Sequence, residues 1–352
     1  MSQNFQWLSL TSEELKEKLI ELGEAPFRAG QLLKWFCLGT PIEEMTNIPK
    51  TLKGKLSDES IGILYYPKIV KKQVSSIDGT VKYLFEMKDG QLIESVVMKY
   101  EHGNTICVST QAGCRMGCRF CASTLGGKVR DLSAGEILGQ IISAQRDFGE
   151  RISGVVMMGI GEPLDNYDNV MRFLEIVGNS ESLNIGYRHI SLSTCGLVDK
   201  IYRLAEEKYP ITLSISLHAS CDTDRDRIMP VNSKWNIDSL LRACRDYFDK
   251  TGRRISFEYT LISGENDSLK QADELAGLIK KYFKTRPVHV NLIPLNHVDE
   301  RAFRAGSKND VKAFCDRLNA LHVNATVRRR LGPDIDASCG QLRHKASKQP
   351  GI

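Results

Sequence analysis

The chain has 352 residues, 41% hydrophobic and 26% charged. That balance is ordinary for a globular protein and excludes a mainly disordered chain, a collagen or a repetitive fibre. Lys and Arg number 48 against 43 Asp and Glu, and the resulting net charge of +5 permits a nucleic-acid partner without demanding one. No apolar run approaches the roughly 18 residues of a membrane helix. The start, Met1-Ser2-Gln3-Asn4-Phe5-Gln6-Trp7, lacks the basic and apolar regions of a secretory signal. The chain is therefore read as cytoplasmic, with no membrane partner. In that reducing compartment its ten cysteines point to metal ligands or catalytic thiols rather than structural disulfides.

Residues 1–60 read as a helical domain. Thr11-Ser12-Glu13-Glu14 is a capping box ahead of Leu15, Leu19, Ile20 and Leu22, Gly23 sits at a C-cap position, and 26–36 reads as a second helix. Residues 61–104 read as a β-rich linker, with strands over 81–85 and 93–98 joined by a Lys88-Asp89-Gly90 turn. From 105 strands and helices alternate. The spacing predicts a strand over 105–110, a helix from the Ser133-Ala134-Gly135-Glu136 capping box to near Gly149, and a strand over 154–158. Then come helix 170–177, strand 189–194, helix 201–208, strand 211–217, helix 237–251 and strand 255–262. Helix 269–281, strand 288–293, helix 311–321 and strand 325–328 complete the series. Such alternation predicts an α/β fold. About six units, over 105–330, form a partial (βα)6 barrel of the TIM type, followed by a C-terminal segment, 331–352. Functional residues should gather where strands end.

Cys114-Arg115-Met116-Gly117-Cys118-Arg119-Phe120-Cys121 places three thiols in a Cys-x3-Cys-x2-Cys pattern after the first strand of the alternating region. Three close thiolates suit an iron–sulfur cluster or zinc. A structural zinc wants a fourth ligand, and Cys107, seven residues upstream, leaves that alternative open on spacing alone. A four-iron cluster on three cysteines keeps one iron open for a small molecule.

In that position the motif resembles the radical S-adenosylmethionine (SAM) enzymes, and Gly159-Ile160-Gly161-Glu162-Pro163-Leu164 after the next strand resembles their SAM-binding turn. The similarity extends to the RlmN and Cfr family of RNA adenine methyltransferases. Cys107-Val108-Ser109-Thr110-Gln111, Ser193-Thr194-Cys195-Gly196, Ser216-Leu217-His218-Ala219, Met229-Pro230-Val231-Asn232 and Val290-Asn291-Leu292-Ile293-Pro294-Leu295-Asn296 all look like that family. So does Asp334-Ile335-Asp336-Ala337-Ser338-Cys339-Gly340-Gln341-Leu342. Pro163 resembles RlmN members, where Cfr proteins tend to carry Ala.

The resemblance implies one [4Fe-4S] cluster on Cys114, Cys118 and Cys121, and SAM contacts from Gly161, Glu162, Ser193, Ser216, Leu217, His218 and Asn296. It implies methylation of adenine C2, a carbon that is not nucleophilic and so cannot accept an ordinary methyl transfer; covalent catalysis divides the task. Cys339 takes a methyl group from one SAM. A deoxyadenosyl radical from a second SAM removes a hydrogen from that methyl, and the carbon radical adds to C2. A base takes the C2 proton, and Cys107 attacks the Cys339 sulfur, releasing product and leaving a Cys107–Cys339 disulfide. Glu94 matches the family's acidic residue for proton transfer, although Cys107 could itself be the base. Cys195 has no reading, and Cys37, Cys221, Cys244 and Cys315 read as small core or surface residues.

The implied partners are 23S rRNA, tRNA next to the anticodon, an electron donor such as flavodoxin and a disulfide reductant, with the protein a monomer. Basic clusters at Lys71-Lys72, Arg253-Arg254, Arg328-Arg329-Arg330 and Arg343-His344-Lys345 offer phosphate contacts around an extruded base, and the helical N-terminus suggests RNA docking. The rival readings are Cfr-type methylation at C8, which gives antibiotic resistance, and a metal-stabilised RNA-binding module without turnover.

Overall fold

The computed structural model describes residues 5–296, 298–335, 337, 342–343 and 346. Three helices come first, α1 (Ser12–Glu21), α2 (Arg28–Leu38) and α3 (Lys50–Ser57). The Thr11 capping box forms as the sequence implies: the Thr11 hydroxyl accepts the Glu14 N–H, and the Glu14 carboxylate accepts the Thr11 N–H. Four strands follow, β1 (Lys68–Val74), β2 (Val81–Glu86), β3 (Leu92–Tyr100) and β4 (Gly103–Cys107), then a short hairpin, β5 (Gln111–Gly113) and β6 (Lys128–Asp131). The alternating region continues through α4 (Ala134–Phe148), β7 (Ile152–Met157), α5 (Tyr167–Gly178), β8 (Ile190–Thr194), α6 (Val198–Leu204) and β9 (Thr212–Ser216). It ends with α7 (Asp222–Ile228), α8 (Ile237–Thr251), β10 (Ile255–Leu261), α9 (Leu269–Phe283), β11 (Val288–Pro294), α10 (Lys308–Ala320) and β12 (Ala325–Val327).

One sheet runs in the order β1-β2-β3-β4-β7-β8-β9-β10-β11-β12. β1 to β4 pair antiparallel, and from β4 onward every neighbour is parallel. The six expected strand–helix units are present, with β12 as a short final strand. β1–β3 lie in the same sheet as the barrel strands, because β3 pairs with β4 in register Val96 to Cys107 while β4 pairs with β7 in register Cys107 to Val156. The two ends of the sheet are strapped together by the chain beyond β12. The Gly332 N–H donates to Asp78 (2.9 Å), and Asp334 accepts from the Ser75 hydroxyl (2.6 Å) and the Ser76 N–H (2.9 Å).

The N-terminal helices share the hydrophobic core of the barrel. Leu15, Leu19, Leu32, Phe36, Leu52 and Leu56 are buried in one cluster with Leu138, Ile141 and Ile142 of α4. Polar ties fix the docking: Arg172 of α5 forks onto the Glu14 carboxylate, and Arg146 of α4 donates to the Gly39 carbonyl (2.7 Å). Among the described residues no helix is long and apolar enough to cross a membrane.

The structure differs from the sequence reading at several elements. β1 was not expected, since its lysines mask a strand; it is a sheet edge, where exposed lysines discourage further pairing. α7 was not expected either, because Asp222-Thr223-Asp224-Arg225-Asp226-Arg227 shows no apolar stripe. α5 and α10 each begin three residues before the predicted start, and α10 does so at a Ser307–Asp310 capping box. α6 ends at Leu204, four residues short of the predicted 208.

Gly113 closes the β5–β6 hairpin at φ +87°, where a Cβ would stand 1.9 Å from the Gly127 carbonyl oxygen. Gly113→Ala should therefore lower the stability of the cluster-free protein by ~2 kcal/mol or more. Gly126→Ala, whose Cβ meets nothing within 4 Å, should stay within about 0.5 kcal/mol. Urea denaturation of both variants measures the difference.

Candidate active site

The cysteine loop hangs between β5 and β6. The Cys114 N–H bonds the Gly127 carbonyl (3.0 Å), the Arg119 N–H bonds the Ile228 carbonyl (2.9 Å), and the Thr124 hydroxyl donates to the carbonyls of Cys118 (3.1 Å) and Cys121 (3.0 Å). Among the described residues no three His, Cys, Asp or Glu side chains stand as ligands of one ion. The thiols nonetheless feel one another. Burial first, and then the neighbouring Glu162 and Cys121, push the Cys114 thiol up to about 12. Burial, with Cys121 and Cys114 next, pushes Cys118 up as well. A dry site that opposes ionising Cys114 and Cys118, with Cys121 beside them, suits a cationic metal centre, which deprotonates its thiol ligands and takes up their charge. The donor set therefore fits an iron–sulfur cluster.

Around the loop the strand ends are zipped together. After β4 and β7, the Gly159 N–H bonds the Val108 carbonyl (3.1 Å), and the Thr110 and Gln111 N–H groups share the Ile160 carbonyl (2.9 and 3.1 Å). Gly161 sits at φ +112°, and a Cβ there would stand 2.7 Å from that of Gln111. The buried Glu162 carboxylate accepts the N–H groups of Leu164 (3.0 Å) and Cys195 (2.8 Å), so it ties the loop after β7 to the end of β8. Burial raises its pKa. Asp165, which the sequence reading passed over, accepts from Arg115 (2.5 Å), Lys128 (2.9 Å) and Gln111 (2.9 Å). Its neighbour Asn166 donates to the carbonyls of Thr110 (2.8 Å) and Leu132 (2.7 Å). Both lie within Pro163-Leu164-Asp165-Asn166, directly after the Gly-Glu turn, which was the available signal.

Ser193 lies near the end of β8, its residue paired with Ser214 of β9. Ser216 ends β9, and the Leu217 N–H bonds the Glu258 carbonyl (3.0 Å). His218 follows at φ +57°. Its Nδ1 accepts the Thr260 N–H (2.9 Å), which leaves the proton of the neutral ring on Nε2, and its edge meets Phe120 of the cysteine loop at 5.1 Å. Burial first, then the Arg225 charge, lower its pKa to about 3.

A cavity of about 270 Å³ opens beside these ends. Cys107, Cys121 and Asn296 line it, with Phe120, Met158 and Arg328. Cys114, Cys118, Gly161, Glu162, Ser193, Ser216, Leu217 and His218 do not line it. Cys107 is buried in a cluster with Val96 and Met98, against which Val156, Met158, Leu331 and Ala337 pack. Cys339 lies outside the described residues; Ala337, two positions before it, lines the cavity.

Glu94 shares the face of β3 that carries Val96 and Met98. It is 2% exposed and pairs at 3.0 Å with Lys82 of β2, which is 0% exposed. Its other oxygen accepts the Arg343 N–H (2.6 Å) from the C-terminal segment. Lys82 escaped the sequence reading; the signal was a lysine inside the apolar run Val81–Glu86.

A curled, mostly parallel sheet with a three-cysteine loop at its first strand end, strand-end turns around it and a cavity alongside defines a radical SAM enzyme. Residues 108–279 match the radical SAM superfamily, and residues 5–61 match the ribosomal RNA large subunit methyltransferase N-terminal domain. Two curated relatives bear the name "probable dual-specificity RNA methyltransferase RlmN". The one from Clostridium tetani is 53% identical over 97% of this chain and 96% of its own, and the one from Clostridium perfringens is 52% identical over 98% of each. A crystal structure of a radical SAM methyltransferase from Sphaerobacter thermophilus superposes with a TM-score of 0.90 at 41% identity, covering 96% of this chain and 98% of that one. The chain belongs to the RlmN family of radical SAM RNA methyltransferases. It is an enzyme that uses SAM and a [4Fe-4S] cluster on RNA.

Two outcomes follow from the buried charges. Lys82→Met strands the Glu94 carboxylate in a dry site and should destabilise the protein by about 3–5 kcal/mol; Lys82→Met with Glu94→Gln should recover much of that loss, as a double-mutant denaturation cycle would show. His218 is held neutral in the fold at about 3, against 6.5 when unfolded. Its contribution is present above 6.5 and is lost as pH falls toward 3, because the unfolded state binds the proton first. Denaturation of the cluster-free protein between pH 7 and 4 should show that loss, and His218→Gln should flatten it.

Proposed function

We propose that the chain methylates C2 of adenosine in 23S rRNA and in tRNA next to the anticodon, with Cys339 as the methyl carrier and Cys107 as the thiol that frees the product. The single observation that carries this reading is that Leu331 and Ala337, the latter two positions before Cys339 in the chain, pack against the cluster of Val96, Met98 and Cys107 and line the same cavity as Cys107. Pro163 in the RlmN-type turn and the dual-specificity name of the relatives support C2 and two RNA classes.

Cys114, Cys118 and Cys121 would hold the cluster, and Gly161, Glu162, Ser193, Ser216, Leu217, His218 and Asn296 would cradle SAM, directly or by shaping the strand ends. When bound, the two supply a methyl group and a one-electron route to a carbon radical. The chain's own residues do the rest. Cys339 carries the one-carbon unit and forms the bond to RNA. Glu94 accepts the C2 proton; its carboxylate sits on the face of β3 that continues into the cavity wall, and Cys107 is the competing base. Cys107 then attacks the Cys339 sulfur, which requires its thiolate. The buried walls around Cys107, formed by Val96, Met98, Val156 and Met158, keep water from the sulfur–carbon linkage. The resulting disulfide calls for an external dithiol reductant, and the cluster for a low-potential electron donor such as flavodoxin. The N-terminal helices (1–60) dock RNA, and Arg328, Arg329 and Arg330 at the cavity rim meet its phosphates.

Cys107→Ala should accumulate a covalent protein–RNA species that thiol reductant does not release, since its link is a thioether. Nuclease digestion should leave a nucleotide mass on the Cys339 peptide. Cys339→Ala should keep its cluster and bind SAM yet yield no adduct and no product. Normal turnover by Cys107→Ala would refute the resolving role, and 8-methyladenosine in wild-type product digests would refute C2.

A further inference from the structure

Gln140 sits inside the apolar stretch of α4 and is 0% exposed. A primary amide buried there is costly unless its groups are bonded, and both ends are. Its Oε1 accepts the Ser109 N–H (2.9 Å) and the Ser95 hydroxyl (2.9 Å), and its Nε2 donates to the carbonyls of Ser109 (2.9 Å) and Glu136 (3.3 Å). Ser109, likewise 0% exposed, is thus held by its N–H and its C=O together, as an adjacent strand would hold it. β3 and β4 pair only as far as Val96 and Cys107, so the Gln140 amide takes the place of a strand.

Beyond Cys107 the chain parts from β3 and runs beside the loop after β7. The Val108 N–H bonds the Val156 carbonyl (3.0 Å), and the Gly159 N–H bonds the Val108 carbonyl (3.1 Å). The Ser109 side chain spans the gap that opens. Its hydroxyl donates to the Glu94 carbonyl (2.7 Å) and accepts the Ile160 N–H (3.0 Å). One hydroxyl therefore joins the strand that carries Glu94 to the Gly159–Glu162 turn, from a residue two positions after Cys107. Ser95, the chain neighbour of Glu94, is tied to the same Gln140 amide.

We infer that Ser109, held in place by Gln140, is a positioning residue that sets Glu94 against the SAM-binding turn and Cys107, so that removal of the C2 proton depends on its hydroxyl. This role rests on the reading of Glu94 as the base at adenine C2. Neither Ser109 nor Gln140 touches a reacting atom; both act through the backbone of Glu94 and Ile160. Without the hydroxyl, the Glu94 carbonyl and the Ile160 amide lose their shared partner in a dry site, and each must move to find another. A shift of about 1 Å in a reacting group costs roughly a hundredfold in rate. The step that suffers is the one that needs Glu94, while the carrier Cys339 and the resolving Cys107 keep their own thiols.

The test uses the full-length protein with its cluster reconstituted without oxygen, at a temperature where every variant is folded by circular dichroism. The substrate is a 23S rRNA fragment whose target adenosine carries hydrogen or deuterium at C2. Ser109→Ala should lower kcat about ten- to a hundredfold and hold more of the enzyme as the covalent RNA adduct. It should also slow more than the wild type does when C2 carries deuterium, because proton removal then limits turnover. Gln140→Met should show the same three changes. The double variant should lose no more than the worse single one, since both act through Ser109. If Gln140→Met does not fold, Ser109→Ala decides alone. A Ser109→Ala protein that melts earlier, or fails to fold, with no change in adduct level or isotope ratio makes Ser109 structural only, and the proposal falls. Additive losses in the double variant overturn the part assigned to Gln140. Wild-type product without 2-methyladenosine would instead sink the C2 reading, a failure distinct from these.

Discussion

Parallel strands that end at one rim leave backbone N–H and C=O groups without ladder partners, and in a dry interior each group needs another. The structure meets that constraint with side chains. Glu162 takes two amides, Arg225 takes four carbonyls, Asn166 takes two carbonyls, and His218 takes the Thr260 amide. The rim is thereby stiffened before any ligand arrives, which is what a site built to position a cofactor requires. One residue joins the two side chains: the Cys195 N–H donates to Glu162 and the Cys195 carbonyl accepts from Arg225. Cys195 therefore contributes through its backbone.

The same rim gathers the residues proposed to react. Cys107 ends the strand at which the sheet changes from antiparallel to parallel, so it meets β3 on one side and β7 on the other. β3 brings Glu94, and the returning C-terminal chain brings Ala337 and the Arg343 amide to the same place. The Lys82–Glu94 pair sits beneath them, in a position where one unpaired charge would be unfavourable. Two of the groups read as reacting residues are thus held by strands, and Gly332 and Asp334, which precede the third in the chain, bond the turn at Ser75–Thr80.

Local chemistry made much of this legible from residues alone. Cys114, Cys118 and Cys121 are spaced within one loop, and the capping boxes at Thr11 and Ser133 are contained in four residues each. The strand–helix alternation rests on short-range periodicity, so the partial barrel could be read directly. The Gly161-Glu162-Pro163 turn was visible for the same reason, although the inward aim of the Glu162 carboxylate was not.

Other features depend on partners far away in the chain, and only the tertiary structure decided them. Lys82 meets Glu94 across a hairpin, Arg225 reaches Cys195 thirty residues upstream, and Asp334 reaches Ser75 from 259 residues downstream. No local periodicity reveals which residues meet in such a bond. β1 and α7 stayed hidden for a related reason: pairing at a sheet edge stabilises the first, and a buried guanidinium anchors the second, so neither needs an apolar stripe. The sequence by itself determined the chemistry available, from three clustered thiols to the strand-end turns. The fold decided which charges face each other in the dry rim, because a charge is stabilised by what surrounds it in space and not by what precedes it in the chain.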